Sequence, residues 1–205
     1  MLKLYSKAAS RQIIARCEPL ICSASAKYGV PAGWIRAILF RELTDIDLLD
    51  LAADFAVRFY YFRYRLFRRL PASDSRFFGK KDSSTGYSQI FAYVAINAAN
   101  FALDRGLADY ASLGIVSDHR LNRENPDDLW LVWRRLDRDR GFNIEMAALN
   151  LLSAAQEMNG RVDCPAFSPE ETKLCFTRYN ADARHITQYG EQAYRYYLDF
   201  QEQTL

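Results

Sequence analysis

The chain has 205 residues, half of them hydrophobic and a quarter charged, with a formal net charge of +2. That length supports one domain with a sizeable buried core, and that composition excludes intrinsic disorder. No apolar run approaches the roughly 20 residues of a membrane helix. Met1 to Arg16 holds no apolar stretch of signal-peptide length, and so small a charge does not by itself mark a nucleic-acid binder.

The elements read as helix after helix. Pro31 opens one in its first turn, running to about Leu43. Thr44 or Asp45 caps the next, which continues to Leu70, where Pro71 stops it. Residues 72–86 are polar, with two glycines, and read as a loop with room for a minor hairpin. Ile90, Val94, Ala98 and Phe101 keep the spacing of a helix face. Asn125-Pro126-Asp127-Asp128 is a cap followed by proline. Asn143 caps the most apolar helix, whose stripe is Ile144, Ala147, Leu151, Ala155 and Met158. Ser168-Pro169-Glu170-Glu171 starts another, and Asp182 the last. The expected fold class is all-α, α+β at most, in a single domain over residues 1–205.

Residues 45–70 form an unusual segment. Its start carries Asp45, Asp47, Asp50 and Asp54 and no base. Its end carries Arg58, Arg63, Arg65, Arg68 and Arg69 and no acid, an order that suits the helix dipole. Six aromatics interleave the arginines. Either the arginine stems cover an aromatic core helix, or the segment borders a ligand groove, a protein partner at residues 58–69, a polyanion or a membrane surface.

Cys17, Cys22, Cys164 and Cys175 show no CxxC spacing, and there are two histidines. No metal site is expected, and four buried free thiols are, with a Cys164–Cys175 bridge open to an oxidising compartment. His119 and His185 stand too isolated for a nucleophile–base pair.

Glu42 carries the most chemical information. Ile35, Ile38 and Leu39 form the inward stripe of their helix, and Glu42 takes the next apolar slot. Burial there raises a carboxyl pKa from about 4.3 toward about 6, the range of a general acid. The alternative is an ion pair with one of the many arginines at the core edge.

Four stretches, in order, resemble the lysozyme-like lytic transglycosylases. Tyr28-Gly29-Val30-Pro31 leading through Ile38 to Glu42 is similar to the opening of that family, where the helix carries the catalytic glutamate. Ser84 to Phe91 is similar to its Gly-Leu-Met-Gln-Ile motif, with Gly86, Gln89 and Ile90 kept and Tyr87 and Ser88 replacing Leu-Met. Asn143 to Leu152 resembles its central helix, and Arg178-Tyr179-Asn180-Ala181, followed by Tyr189-Gly190, its Tyr-Asn-Ala-Gly element. Leu43 stands where the family has serine. The interval from Glu42 to Gln89 is longer than usual, and the excess is the arginine-rich segment, read as an inserted helix.

The resemblance implies a lysozyme-like fold and a peptidoglycan-cleaving muramidase, more a lytic transglycosylase than a hydrolase, needing no cofactor. Its substrate is the peptidoglycan glycan strand, not nucleic acid. Glu42 would be the catalytic acid and base. A hydrolase would need a second carboxylate, for which Asp82 is the first choice and Asp74 the next. Gly86, Tyr87, Gln89, Tyr179, Asn180 and Tyr189 would bind substrate or line the cleft. That substrate lies outside the cytoplasm. The alternative is a non-catalytic lysozyme-like module that binds glycan or protein through the 58–69 helix.

Overall fold

A computed structural model describes residues 3–67 and 80–202. The last turn expected of the arginine-rich helix (Arg68 to Leu70), the Pro71 stop, Asp74 and most of the expected 72–86 loop lie outside those residues. Eight α-helices are present among the described residues, with isolated β-bridges pairing Lys3 with Asp47 and Thr85 with Ile90 and no sheet. The class is all-α.

Helix α1 (Lys7–Tyr28) begins where the Ser6 hydroxyl accepts from the Ala9 amide and ends at Gly29, whose left-handed φ of 70° closes the last turn. Ile14, Cys17, Ile21, Ala24 and Tyr28 recur every three or four residues and are all buried. Pro19 lies inside this helix, whose remaining bonds carry it through. Helix α2 (Ala32–Asp45) buries Trp34, Ile35, Ala37, Ile38, Leu39, Phe40 and Leu43, apolar nearly all round, because it is wedged between α1 and α8. Trp34 meets Phe176 edge-on at 5.3 Å, and Phe40 meets Tyr196 at 4.8 Å.

Helix α3 (Leu48–Phe67) follows after a break at Ile46-Asp47. Its cap is neither Thr44 nor Asp45. The Thr44 hydroxyl donates to the Phe40 carbonyl at 2.9 Å, and Asp45 pairs with Arg41 and Lys3. The cap is Asp47, whose carboxylate accepts from the Leu49 amide at 2.7 Å, while Asp50 accepts from the Asp47 amide at 2.9 Å. Two carboxylates thus satisfy opposite orphan amides.

Helix α4 (Ala92–Asp104) and α5 (Pro126–Arg138) lead to α6 (Arg140–Asn159), which packs on α1, α2, α4, α5 and α7 and forms the centre of the core. Its cap is Asp139, not Asn143. Asp139 accepts from the Phe142 amide at 3.0 Å, whereas Asn143 lies one turn inside the helix and is buried. A short 3₁₀ turn (Cys164–Ala166) precedes α7 (Pro169–Asn180), which starts with a complete capping box between Ser168 and Glu171. Helix α8 (Gln188–Glu202) begins six residues beyond the expected Asp182, which is exposed before it. Gly190 lets α8 close on α7, because a Cβ there would lie 2.2 Å from Thr177 Oγ1. The four cysteines are free thiols. Cys17, Cys164 and Cys175 are buried as expected, but Cys22 is exposed and bonded to Glu18.

Candidate active site

Three hollows, of about 320, 490 and 330 Å³, share Glu42 and Asn180 in their walls and form a groove across one side of the molecule. Helix α2 delivers Glu42 from its last turn. The 84–91 turn contributes Gln89 and Phe91. Helices α4 and α6 contribute Asn97, Asn150 and Ser153, and the end of α7 contributes Arg178, Tyr179 and Asn180.

Glu42 is half-buried, with protein packed around it and the groove in front. Burial raises its carboxyl from 4.5 to about 7. The Tyr189 hydroxyl and the Arg41 guanidinium pull the other way, while nearby Asp45 and Asp50 push further up. The Tyr189 hydroxyl donates to Glu42 Oε1, and the Tyr189 ring lies 5.0 Å from the Arg41 guanidinium. Arg41 makes its own ion pair with Asp45, so the core-edge ion pair that sequence left open for Glu42 belongs to its neighbours. Tyr189, expected as a cleft wall, lines one of the three hollows and also anchors the carboxyl.

The turn that carries Gln89 is held from three sides. Asn143 Nδ2 donates to the Thr85 carbonyl at 3.1 Å, and Asn143 Oδ1 accepts from the Ser88 amide at 2.9 Å. The Tyr179 hydroxyl donates to the Ser88 carbonyl at 2.8 Å. Asp54, from α3, accepts from Ser83 at 2.7 Å and from Thr85 at 3.1 Å, and Trp133 donates to the Ser83 hydroxyl at 3.0 Å. Burial lifts Asp54 to about 6 despite these donors. Gly86 adopts φ 72°, and a Cβ there would lie 2.2 Å from Asn143 Nδ2. Gln89 adopts φ 44°, a conformation that costs a side-chain-bearing residue on the order of 1 kcal/mol or more. Its amide donates to the Gly86 carbonyl at 2.8 Å, which fixes its side chain across the turn.

Glu42, Gln89, Tyr179, Asn180 and Tyr189 are therefore brought together. Gly86 supports the turn from behind. Tyr87 and Asp82 do not line the groove. Tyr87 packs on the core with the Arg140 guanidinium 5.3 Å from its ring. Asp82 spends both oxygens on the start of α4, accepting from the Ala92 amide at 3.0 Å and the Tyr93 amide at 2.9 Å. Burial raises it to about 6, against the pull of those amides. It is a helix cap, which explains an acid ten residues before a helix start. His119 is not isolated: its ring nitrogens meet Asp118 at 2.9 Å and Asp128 at 3.0 Å. Both are thereby occupied, and the Ser117 hydroxyl donates to the His119 carbonyl at 2.8 Å.

Sequence reasoning missed Arg41, Asp45 and Asp50 as groove residues. Spacing held a signal for Asp45, one turn after Glu42, but none for Asp54 or Asn143, whose partners are distant in the chain. Among the described residues no cluster of three or more His, Cys, Asp or Glu side chains could hold a metal ion. No protein-family model, curated protein or solved structure matches the chain.

Proposed function

We propose that this protein is a lytic transglycosylase of lysozyme-like fold, cleaving the β-1,4 bond between N-acetylmuramic acid and N-acetylglucosamine in peptidoglycan. The observation that carries the reading is the Glu42 carboxyl, raised to about 7, anchored by Tyr189 and facing an open groove. At neutral pH about half of the molecules then hold the proton, against roughly 0.3% for an ordinary glutamate.

With Oε1 engaged by Tyr189, Oε2 is the oxygen that serves the substrate. It gives its proton to the glycosidic oxygen as the bond to the muramoyl anomeric carbon breaks and the sugar gains oxocarbenium character. The resulting carboxylate takes the proton of the muramoyl 6-hydroxyl, whose oxygen bonds to the anomeric carbon. A 1,6-anhydro end forms and Glu42 is protonated again. One carboxyl completes the cycle, which agrees with Asp82 being committed to the α4 amides. Gln89 and Asn180 flank the reacting bond. The Asn150 amide, buried at the groove wall without an intramolecular partner, donates to a sugar acceptor. The test is digestion of purified peptidoglycan by wild type and Glu42→Gln. Loss of cleavage with the fold retained is expected, and an unchanged rate overturns the proposal.

A further inference from the structure

Helix α3 has two apolar faces. Its inner face buries Ala56, Val57, Tyr60 and Tyr61. Its outer face presents Leu48, Leu51, Phe55, Phe62 and Leu66 to solvent, each 51 to 63% exposed. Their spacing confines them to an arc of about 60° on a helix turning about 100° per residue. Arginines border that arc, Arg58 and Arg65 on one side and Arg63 on the other. The two acids of α3 lie on the inner side, where Asp50 bonds the Asp47 amide and Asp54 bonds Ser83 and Thr85. Arg58 is drawn to Asp137 at 2.7 Å, whereas Arg65 is exposed and Arg63 lies over the Phe59 ring at 5.9 Å.

We propose that this outer face lies flat on a bilayer surface containing anionic lipid. An apolar ridge about 30 Å long that itself carries no acid, edged by Arg63 and by Arg65 (which shares a hollow with Asp118, Asp127 and Asp128), is complementary to an interface whose acyl region accepts Leu and Phe while its headgroups meet the arginines. No described helix is long and apolar enough to cross a membrane, so the contact is peripheral. This docking is independent of the chemistry at Glu42.

The test floats the full chain with vesicles of equal phosphatidylglycerol and phosphatidylcholine, and with phosphatidylcholine alone. Wild type should float with the anionic vesicles and lose that association as salt rises. Phe55→Ser with Phe62→Ser, or Arg63→Glu with Arg65→Glu, should reduce partitioning at least tenfold while circular dichroism and melting temperature stay unchanged. The proposal is overturned if wild type does not float with anionic vesicles, or if the phenylalanine variant floats equally well. It is also overturned if light scattering finds a dimer that this variant dissolves while lipid has no effect, because the occupant is then a second copy of the chain.

Discussion

The hydroxyl of Tyr189, near the start of α8, donates to Oε1 of Glu42, in the last turn of α2, across 147 positions of sequence. This bond favours the charged carboxylate, while burial, the larger effect, disfavours it. Glu42 is left near the midpoint of its titration at neutral pH. Replacing Tyr189 by phenylalanine removes the opposing donor, so the carboxyl should titrate higher. The alkaline limb of the pH–rate profile should move up by about one pH unit. An unmoved limb would show that the hydroxyl does not tune the acid.

Raised carboxyls also set the stability profile. Glu42 at about 7 and Asp54 and Asp82 at about 6 bind protons more tightly when folded than unfolded. Their contribution is fully present below the ordinary carboxylate range and is lost as pH rises through 6 to 7. Glu42→Gln removes one such group. The variant should be more stable than wild type at pH 8, by on the order of 2 kcal/mol, with the advantage vanishing at pH 4. Thermal melts at both values measure this, and equal melting temperatures at pH 8 would contradict a buried, destabilised carboxylate.

Asp82 separates a helix cap from a second catalytic carboxylate. Asp82→Ala leaves two amides of α4 without acceptors and should cost about 1 to 2 kcal/mol by denaturant unfolding. Cleavage should persist well below the melting temperature. A folded variant of unchanged stability with no activity would place Asp82 in the chemistry instead.

Gly86 tests the turn that presents Gln89. Gly86→Ala places a methyl within 2.2 Å of Asn143 Nδ2 and 2.7 Å of the Leu136 carbonyl, at a φ that alanine disfavours. A destabilisation of about 3 kcal/mol or more is expected in chemical denaturation, with cleavage falling as the turn shifts. A loss below about 1 kcal/mol would mean that the turn yields easily.

Much of the fold was legible because its signals are local. The α2 stripe, the Asn125-Pro126 start and the Ser168–Glu171 box each lie within a few residues, and Glu42 stood out because it broke a period. The errors arose where a distant partner claimed a side chain. Asn143 resembles a cap in sequence, yet the 85–88 turn recruits it and Asp139 takes the cap. Asp82 resembles a groove acid, yet the α4 amides hold it. Tyr189 and Asp54 act on groups that only folding brings near, so no spacing could reveal them.

Mass spectrometry of the fragments released from purified peptidoglycan tests the role of Glu42 most directly. Wild type should yield 1,6-anhydromuramoyl ends and Glu42→Gln at least about 100-fold fewer of them. Equal yields from the two proteins, or no new glycan ends from wild type, would contradict that role.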